Sequence, residues 1–205
     1  MNLDKEQAKK ELLKKMLTTQ IIFIDETRPF QWRSGIRSPI YIDLRRMLGD
    51  VMLRNMVIDA LESFAFPYKD STQVVAGVAT GGIPLATLLA DRWAMPMAYV
   101  RPQPKEYGMG RQVEGGVVAY KKVLLIEELI STGGSAENAL KALEEERAQP
   151  EVLISIFSYE FPEAKERFAG YNWEKLTTIF DLLDVLDPPK QKIIVDWLKE
   201  MEVLQ

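Results

Sequence analysis

A chain of 205 residues with 47% hydrophobic residues is long enough for one domain with a substantial core. It contains no histidine and no cysteine, which excludes Ser-His-Asp and Cys-His catalysis, zinc sites built from those ligands, and disulfides. The net charge of −4 offers no broad basic field for nucleic acid. No apolar run approaches the length of a membrane span and the N-terminus lacks a signal-peptide core, so we expect a soluble, cytoplasmic protein.

The first 48 residues are predicted to form a helix and a small hood that precedes the main domain. Apolar residues recur at helical spacing before residue 18, and a short strand is expected at residues 20–24. Two further strands are expected at residues 30–35 and 41–44, around a turn. Aromatic residues in this segment are explained by core packing at least as well as by ligand contact, whereas Arg33 and Arg37 could attract a carboxylate.

From residue 49 onward, strand and helix patterns alternate. Strands are expected at 74–79, 97–100, 123–127, 152–159 and 176–180, and helices at 51–64, 83–93 and 135–147, with helical patterns after residue 180. The nearly continuous apolar strand at 152–159 is typical of a parallel sheet covered on both faces. The sequence therefore predicts an α/β fold with a doubly wound, mostly parallel sheet. We expect a single domain over 1–205, with the hood at 1–48, the core at 49–205, and ligands at the carboxyl ends of the strands.

The segment 123–135 combines a buried strand, two carboxylates and a glycine-rich loop, with a helix expected near Ala136. Amides of such a loop and of the first helical turn would point at an anion, and glycines let the backbone approach closely. Glu127 and Glu128 could accept hydrogen bonds from sugar hydroxyls beside that anion. This order favours a phosphorylated sugar as ligand, although a Gly-Gly turn between strand and helix is also common for geometric reasons alone.

A second glycine-rich loop, at residues 77–84, follows another strand and again leads into a helix. Pro84 suits the first helical turn, where its missing amide costs nothing. Alone, this loop is more often a tight turn than an anion site. Two such loops on one sheet could hold the two ends of a doubly phosphorylated ligand.

The segment 102–116 is long, polar and rich in glycine and proline, and the next strand is expected to begin near Val117. Such a segment should lie on the surface. An ordinary solvated hairpin explains it. The alternative is a lid whose Arg101, Lys105 and Arg111 meet a polyanion as it closes.

Taken in chain order, these segments resemble the orotate phosphoribosyltransferases, which are type I phosphoribosyltransferases. Segment 123–135 is similar to the family's phosphoribosyl pyrophosphate (PRPP) signature, 34–41 to its orotate-side hood, 79–84 to its pyrophosphate loop and 99–115 to its catalytic loop. The resemblance implies a type I phosphoribosyltransferase fold. It also implies that orotate and PRPP are converted to orotidine 5′-monophosphate and pyrophosphate, in the de novo synthesis of pyrimidines.

The same resemblance implies a cofactor and an assembly. Mg²⁺ would be required, bound through PRPP rather than by a cage of protein ligands. The protein would form a homodimer in which the loop 102–116 reaches the neighbouring site.

Roles for individual residues follow from the resemblance. The PRPP-binding residues would be Glu127 and Glu128 on the ribose hydroxyls, Ser131, Thr132, Gly133, Gly134 and Ser135 around the 5′-phosphate, and Thr80 and Gly81 in the pyrophosphate loop. The catalytic residues would be Arg101, Lys105 and Tyr107. The orotate-binding residues would be Ser131, Arg37, Tyr41 and Ile42.

Three positions depart from the family pattern. Tyr107 stands where the catalytic loop normally carries histidine, Pro102 where many members carry lysine, and Glu128 where aspartate is usual. A neutral tyrosine can donate a hydrogen bond to pyrophosphate but carries no positive charge. We expect activity to survive these changes, because the phosphate cradle and Lys105 remain.

Two alternatives stay open at this point. A purine or xanthine phosphoribosyltransferase would share the segment 127–135, although the hood around residues 37–41 favours orotate. A PRPP-binding paralogue without catalytic activity would account for Tyr107 and Glu128.

Overall fold

The computed structural model describes residues 2–32, 35–104 and 111–204. Its strands are β1 (Ile22–Ile24), β2 (Phe30–Gln31), β3 (Arg37–Ser38), β4 (Ile40–Ile42), β5 (Val74–Val78), β6 (Met97–Val100), β7 (Val113–Gly115), β8 (Lys122–Ile130), β9 (Gln149–Ser158) and β10 (Trp173–Thr178). Its α-helices are α1 (Asn2–Thr18), α2 (Val51–Ala65), α3 (Gly82–Trp93), α4 (Gly134–Glu145), α5 (Pro162–Arg167), α6 (Ile179–Leu183) and α7 (Pro188–Glu200). Among the described helices, none is both long enough and apolar enough to cross a membrane.

A six-stranded sheet forms the centre of the fold, in the order β10-β9-β8-β5-β6-β7. All neighbouring strands run parallel except β6 and β7, which are antiparallel. From β5 the chain winds through α3 to β6 on one side, and from β8 through α4 to β9 on the other. The prediction of a doubly wound, mostly parallel sheet is confirmed, and β5 and β8 flank the point where the winding changes direction.

The core divides into two layers because successive residues of a strand face opposite sides of the sheet. Val75, Leu124 and Ile126 pack in the layer that contains the buried residues of α1, α2, α3, α6 and α7. Val74 and Leu125 pack in the other layer, with α4 and α5. The central strands carry apolar residues on both faces because helices cover both sides of the sheet.

The hood contains two small antiparallel pairs rather than the two longer strands that the sequence suggested. β1 pairs with β4, and β2 pairs with β3. Ser38 explains the break between β3 and β4, because its hydroxyl both accepts from the Ile40 amide and donates to the Ile40 carbonyl. Part of the expected strand at 30–35 lies outside the described residues. The division of the single domain into a hood at residues 1–48 and a core at residues 49–205 stays a prediction.

Several expected boundaries in the main domain are wrong, including the start of β9, which lies at Gln149 instead of residue 152. β8 extends to Ile130 instead of ending at residue 127, because its pairing with β9 continues to the Ile130–Ser158 pair. The strand expected near Val117 is β7, which lies earlier at Val113–Gly115, and Val117 is exposed in the segment that follows β7. The expected strand 176–180 is β10 at Trp173–Thr178, since Thr178 and Asp181 form a capping box that begins α6. The expected helix 135–147 is α4, which runs from Gly134 to Glu145.

Candidate active site

A cavity of about 670 Å³ lies at the carboxyl edge of the sheet. The hood supplies one wall, through Gln31, Trp32, Tyr41 and Ile42. Glu127 and residues 129–136 supply the opposite wall, and Tyr159 joins the two. The volume suits a small-molecule ligand, and the position is the one expected for a doubly wound sheet.

The loop between β8 and α4 presents backbone to the cavity. Gly133 has φ +84°, and a Cβ there would lie 2.9 Å from the Phe168 ring, so this position requires glycine on two grounds. A Cβ on Gly134 would meet nothing within 4 Å. The first-turn amides of α4 have no acceptor within the helix and are available to an anion. All five residues predicted to cradle phosphate, 131–135, line this cavity.

Glu127 is the buried carboxyl of the site, with 6% of its surface exposed. Its Oε1 accepts a hydrogen bond of 2.9 Å from the Glu128 amide. Burial raises the pKa of Glu127 to about 8, and the nearby Glu128 charge acts in the same direction. Glu127 therefore holds a proton near neutral pH in the free protein, and can both donate to and accept from sugar hydroxyls.

Glu128 points elsewhere, because adjacent residues of β8 face opposite sides of the sheet. It is not among the residues that line the cavity. Its carboxyl lies against Gly81, where a Cβ would overlap it. Burial raises the pKa of Glu128, whereas the positive charge of Arg45 lowers it and the charge of Asp43 raises it. The Arg45 Nε is 3.3 Å from Asp43 Oδ1, so a hood ion pair accompanies this second carboxylate.

The loop at residues 79–82 lies beside Glu128 rather than on the cavity wall. Thr80 is exposed, Gly81 is buried, and neither lines the cavity. The peptide bond between Ala79 and Thr80 is cis. Gly82 packs against the Ile126 carbonyl of β8, which leaves no space for a side chain.

Arg101 begins the predicted catalytic loop and is half-buried. Its amide donates to the Gln112 carbonyl and its carbonyl accepts from Gln112 Nε2, each at 2.9 Å. Because β7 occupies Val113–Gly115, the expected extent of this loop, 102–116, is wrong at its carboxyl end. The predicted residues Lys105 and Tyr107 lie outside the described residues.

The predicted orotate residues are divided by the structure. Tyr41, Ile42 and Ser131 line the same cavity. Arg37 does not line it: its side chain is exposed, and its carbonyl accepts a 3.0 Å hydrogen bond from Trp197 Nε1.

Comparisons with known proteins agree with this geometry. A family model described as the phosphoribosyl transferase domain matches residues 47–179. The orotate phosphoribosyltransferase of Lactobacillus johnsonii is 40% identical over 80% of this chain and 77% of its own length. That of Bacillus subtilis is 42% identical over 78% of this chain and 74% of its own length. This chain belongs to the orotate phosphoribosyltransferase family.

A solved structure of a family member supports the same conclusion about the fold. The crystal structure of orotate phosphoribosyltransferase from Aeropyrum pernix matches with a TM-score of 0.75 and 29% identity, over 84% of this chain and 96% of that one. The resemblance drawn from the sequence motifs is confirmed, and so is the type I phosphoribosyltransferase fold.

Sequence reasoning missed several residues that complete the site of this family member. Trp32 and Tyr159 have ring centroids 4.5 Å apart and belong to the cavity wall. Asp43 and Arg45 accompany Glu128. Tyr159 could have been found, because it directly follows the end of a parallel strand, where ligands gather. No signal in the sequence placed Trp32 against it.

Proposed function

We propose that this protein transfers the 5-phosphoribosyl group from PRPP to orotate, giving orotidine 5′-monophosphate and pyrophosphate. The observation that carries the proposal is the cavity itself, where a loop rich in backbone amides faces an aromatic hood across a buried carboxyl. Relatives with substantial identity over most of this chain carry the name orotate phosphoribosyltransferase. The amide wall suits a phosphate and the aromatic wall suits a planar base.

The ribose would lie between these walls, beside Glu127. In the transfer, positive charge develops on the sugar while negative charge grows on the departing pyrophosphate. Glu127 would fix the sugar hydroxyls, and the loop 131–135 would hold the 5′-phosphate, so the anomeric carbon faces the base. Glu128 would act from the side, holding the loop at 79–82 and engaging a hydroxyl only at the margin of the cavity.

Cations would serve the leaving group. Arg101 lies at the end of β6, and its NH1 is buried without a hydrogen-bond partner among the described residues. An unpaired buried donor of this kind suits an incoming anion. Lys105 and Tyr107 would approach from the same loop, with Tyr107 as a neutral donor. Orotate can be delivered as an anion, so the reaction needs no strong protein base.

Magnesium fits this site as an ion carried by the substrate. Mg²⁺ is usually bound by one or two carboxylates, waters and substrate phosphates, and Glu127 would supply a carboxylate oxygen at the cavity once the bound cation displaces its proton. Within residues 2–32, 35–104 and 111–204, no group of three or more acidic side chains could form a protein cage. Bound Mg²⁺ would neutralise the charge that grows on pyrophosphate.

A homodimer, with the loop that begins at Arg101 reaching the neighbouring site, belongs to this proposal. The loop would then bring its cations to the partner's PRPP. The cytoplasmic location expected from the sequence stays a prediction.

The test is the loss of orotate ultraviolet absorbance when purified protein is mixed with PRPP and Mg²⁺. We expect loss that requires both PRPP and the metal, and that falls at least tenfold in Lys105→Ala, because a leaving-group cation acts only as charge develops. A panel containing xanthine, hypoxanthine and uracil is run in parallel. Consumption of another base instead of orotate, or PRPP binding without any product, would overturn the proposal.

A further inference from the structure

We propose that the Tyr159 hydroxyl binds the nucleobase, by donating a hydrogen bond to a carbonyl oxygen of the pyrimidine ring. The inference rests on the proposed function, because it assigns one contact within the same cavity. Its support is independent of the phosphate loop and comes from the position, packing and missing partner of this side chain.

Tyr159 is placed by the backbone at the junction of the two cavity walls. It follows β9 directly, and its amide donates a 3.0 Å hydrogen bond to the Ile130 carbonyl at the end of β8. Ser131, the first residue of the phosphate loop, is therefore its neighbour across the strands. A base joined to a ribose held by this loop would come close to Tyr159.

The ring of Tyr159 is held on several sides by aromatic residues. Its centroid is 4.5 Å from that of Trp32, 5.2 Å from Phe157 and 5.8 Å from Phe161. The residue is 1% exposed, yet it lines the cavity. Packing of this density leaves the ring little freedom, so the hydroxyl has a fixed position before any ligand binds.

The hydroxyl makes no hydrogen bond with any residue in the described part of the chain. Other partly buried tyrosines differ in this respect: the Tyr68 hydroxyl donates to Glu174 and the Tyr171 hydroxyl donates to Glu144, each at 2.9 Å. Buried tyrosine hydroxyls usually find a partner. A fixed donor that lines the cavity and has no partner among the described residues therefore points to an acceptor on the ligand.

The chemistry of the wall indicates which acceptor. Burial raises the pKa of Tyr159 well above its usual value, so the hydroxyl stays a neutral donor at any working pH. The described residues that line the cavity include neither lysine nor arginine. A neutral donor beside aromatic rings is matched to a neutral ring carbonyl, whereas a carboxylate would be poorly solvated there.

The experiment is the substitution Tyr159→Phe, which removes the hydroxyl and keeps the ring. KM for orotate, KM for PRPP and kcat are measured from orotate absorbance, with thermal unfolding followed on the same samples. The matched control is Tyr171→Phe, which removes a tyrosine hydroxyl outside the cavity. We expect KM for orotate to rise roughly five- to a hundredfold in Tyr159→Phe, because a buried acceptor loses its donor. KM for PRPP should stay within twofold, and the control should match the unsubstituted protein.

The outcomes separate this inference from the proposed function. If the unsubstituted protein consumes orotate and Tyr159→Phe leaves its KM for orotate within twofold, the role of Tyr159 is overturned and the proposed function stands. If both KM values rise together and the melting temperature falls, Tyr159 has only a packing role and the inference is again overturned. If the unsubstituted protein does not consume orotate, both proposals fail.

Discussion

The glycine-rich loops after β5 and β8 stand at neighbouring carboxyl ends of the same sheet, but their glycines serve different purposes. In the loop after β8, Gly134 faces open space within the cavity wall. On either side of the loop after β5, a Cβ on Gly77 in β5 would lie 2.5 Å from the Gly82 carbonyl, and one on Gly82 at the start of α3 would overlap the Ile126 carbonyl. The loop after β8 is therefore open to a ligand at Gly134, whereas the loop after β5 is closed by backbone at its two ends, Gly77 and Gly82.

This difference shows that a pair of glycines does not by itself identify an anion site. Close packing of the start of α3 against β5 requires glycine at 77, and its packing against β8 requires glycine at 82, whether or not a ligand binds. The same close approach brings the 79–82 loop against Glu128, so the loop after β5 and the end of β8 are in direct contact. Substitutions at matched positions should therefore affect folding in one loop and binding in the other.

The largest expected effect concerns Glu127, which precedes the open loop. Its pKa is raised from 4.5 to about 8 in the folded protein. The folded state therefore holds the proton more tightly, so the contribution of Glu127 to stability is complete below pH 4.5. This contribution is lost as the pH rises to 8, which lowers the free energy of unfolding by at most about 5 kcal/mol.

Urea unfolding of the unsubstituted protein and Glu127→Gln at several pH values checks this prediction. As the pH rises from 5 to 8, the free energy of unfolding of the unsubstituted protein should fall relative to that of Glu127→Gln. Glu137→Gln is the control of opposite sign, because hydrogen bonds from Lys141 and Arg167 lower the pKa of Glu137. The free energy of unfolding of the unsubstituted protein should fall relative to that of Glu137→Gln only when the pH is lowered into the range where Glu137 gains a proton. A flat difference for Glu127→Gln would refute the raised pKa.

Gly82→Ala should be the most damaging of the loop substitutions. A methyl group at this position overlaps the backbone of β8, which cannot move without separating α3 from the sheet. We expect the free energy of unfolding to fall by about 3 kcal/mol. Urea denaturation measures the loss, and a change below 1 kcal/mol would show that the loop after β5 is not closed by packing.

Gly134→Ala is the matched substitution in the open loop. Alanine in the first turn of α4 should stabilise the protein by roughly 0.5 to 1 kcal/mol, since nothing lies within 4 Å of the added methyl. The same methyl narrows the approach of a phosphate, so PRPP affinity should fall about tenfold, or roughly 1.4 kcal/mol. Calorimetry with PRPP measures the affinity. Unchanged affinity would mean that the phosphate does not approach this loop.

The smallest expected effect is the coupling between Gly81 and Glu128. Gly81→Ala pushes against the Glu128 carboxyl, and Glu128→Asp shortens that side chain and makes room. In a double-mutant cycle, the double variant should be more stable than the sum of the single changes predicts, by about 1 kcal/mol. Additive changes would show that the two loops are not joined through this contact.

Local sequence patterns were sufficient for the elements that depend on local periodicity. Hydrophobic spacing predicted β6 with its observed bounds, and α2 and α3 within one residue. The segment 131–135 was recognised because glycine and hydroxyl residues before a helix have a local chemical meaning. The family followed from the order of such segments.

Features that depend on distant pairing could not be predicted in this way. The end of β8 was misplaced because two carboxylates resemble the end of a strand, whereas pairing with β9 carries β8 to Ile130. The sequence assigns both Glu127 and Glu128 to the ribose hydroxyls, but the direction of the Glu128 side chain follows from the alternation along that longer strand, and Glu128 does not line the cavity. Trp32 and Tyr159 are far apart in sequence, and no local pattern brings their rings together.

The contact between the hood and α7 has a consequence for the synthesis of the protein. The Trp197 indole donates to the Arg37 carbonyl, and its ring packs edge-on against Trp32 at 5.7 Å. A ribosome that has just added Trp32 must add 165 more residues, the last of them Trp197, before this contact can form. At typical translation rates this takes roughly 10 to 30 seconds. During that time the aromatic wall of the cavity lacks its outer support, so a nascent chain that already has its central strands still has an unfinished substrate site.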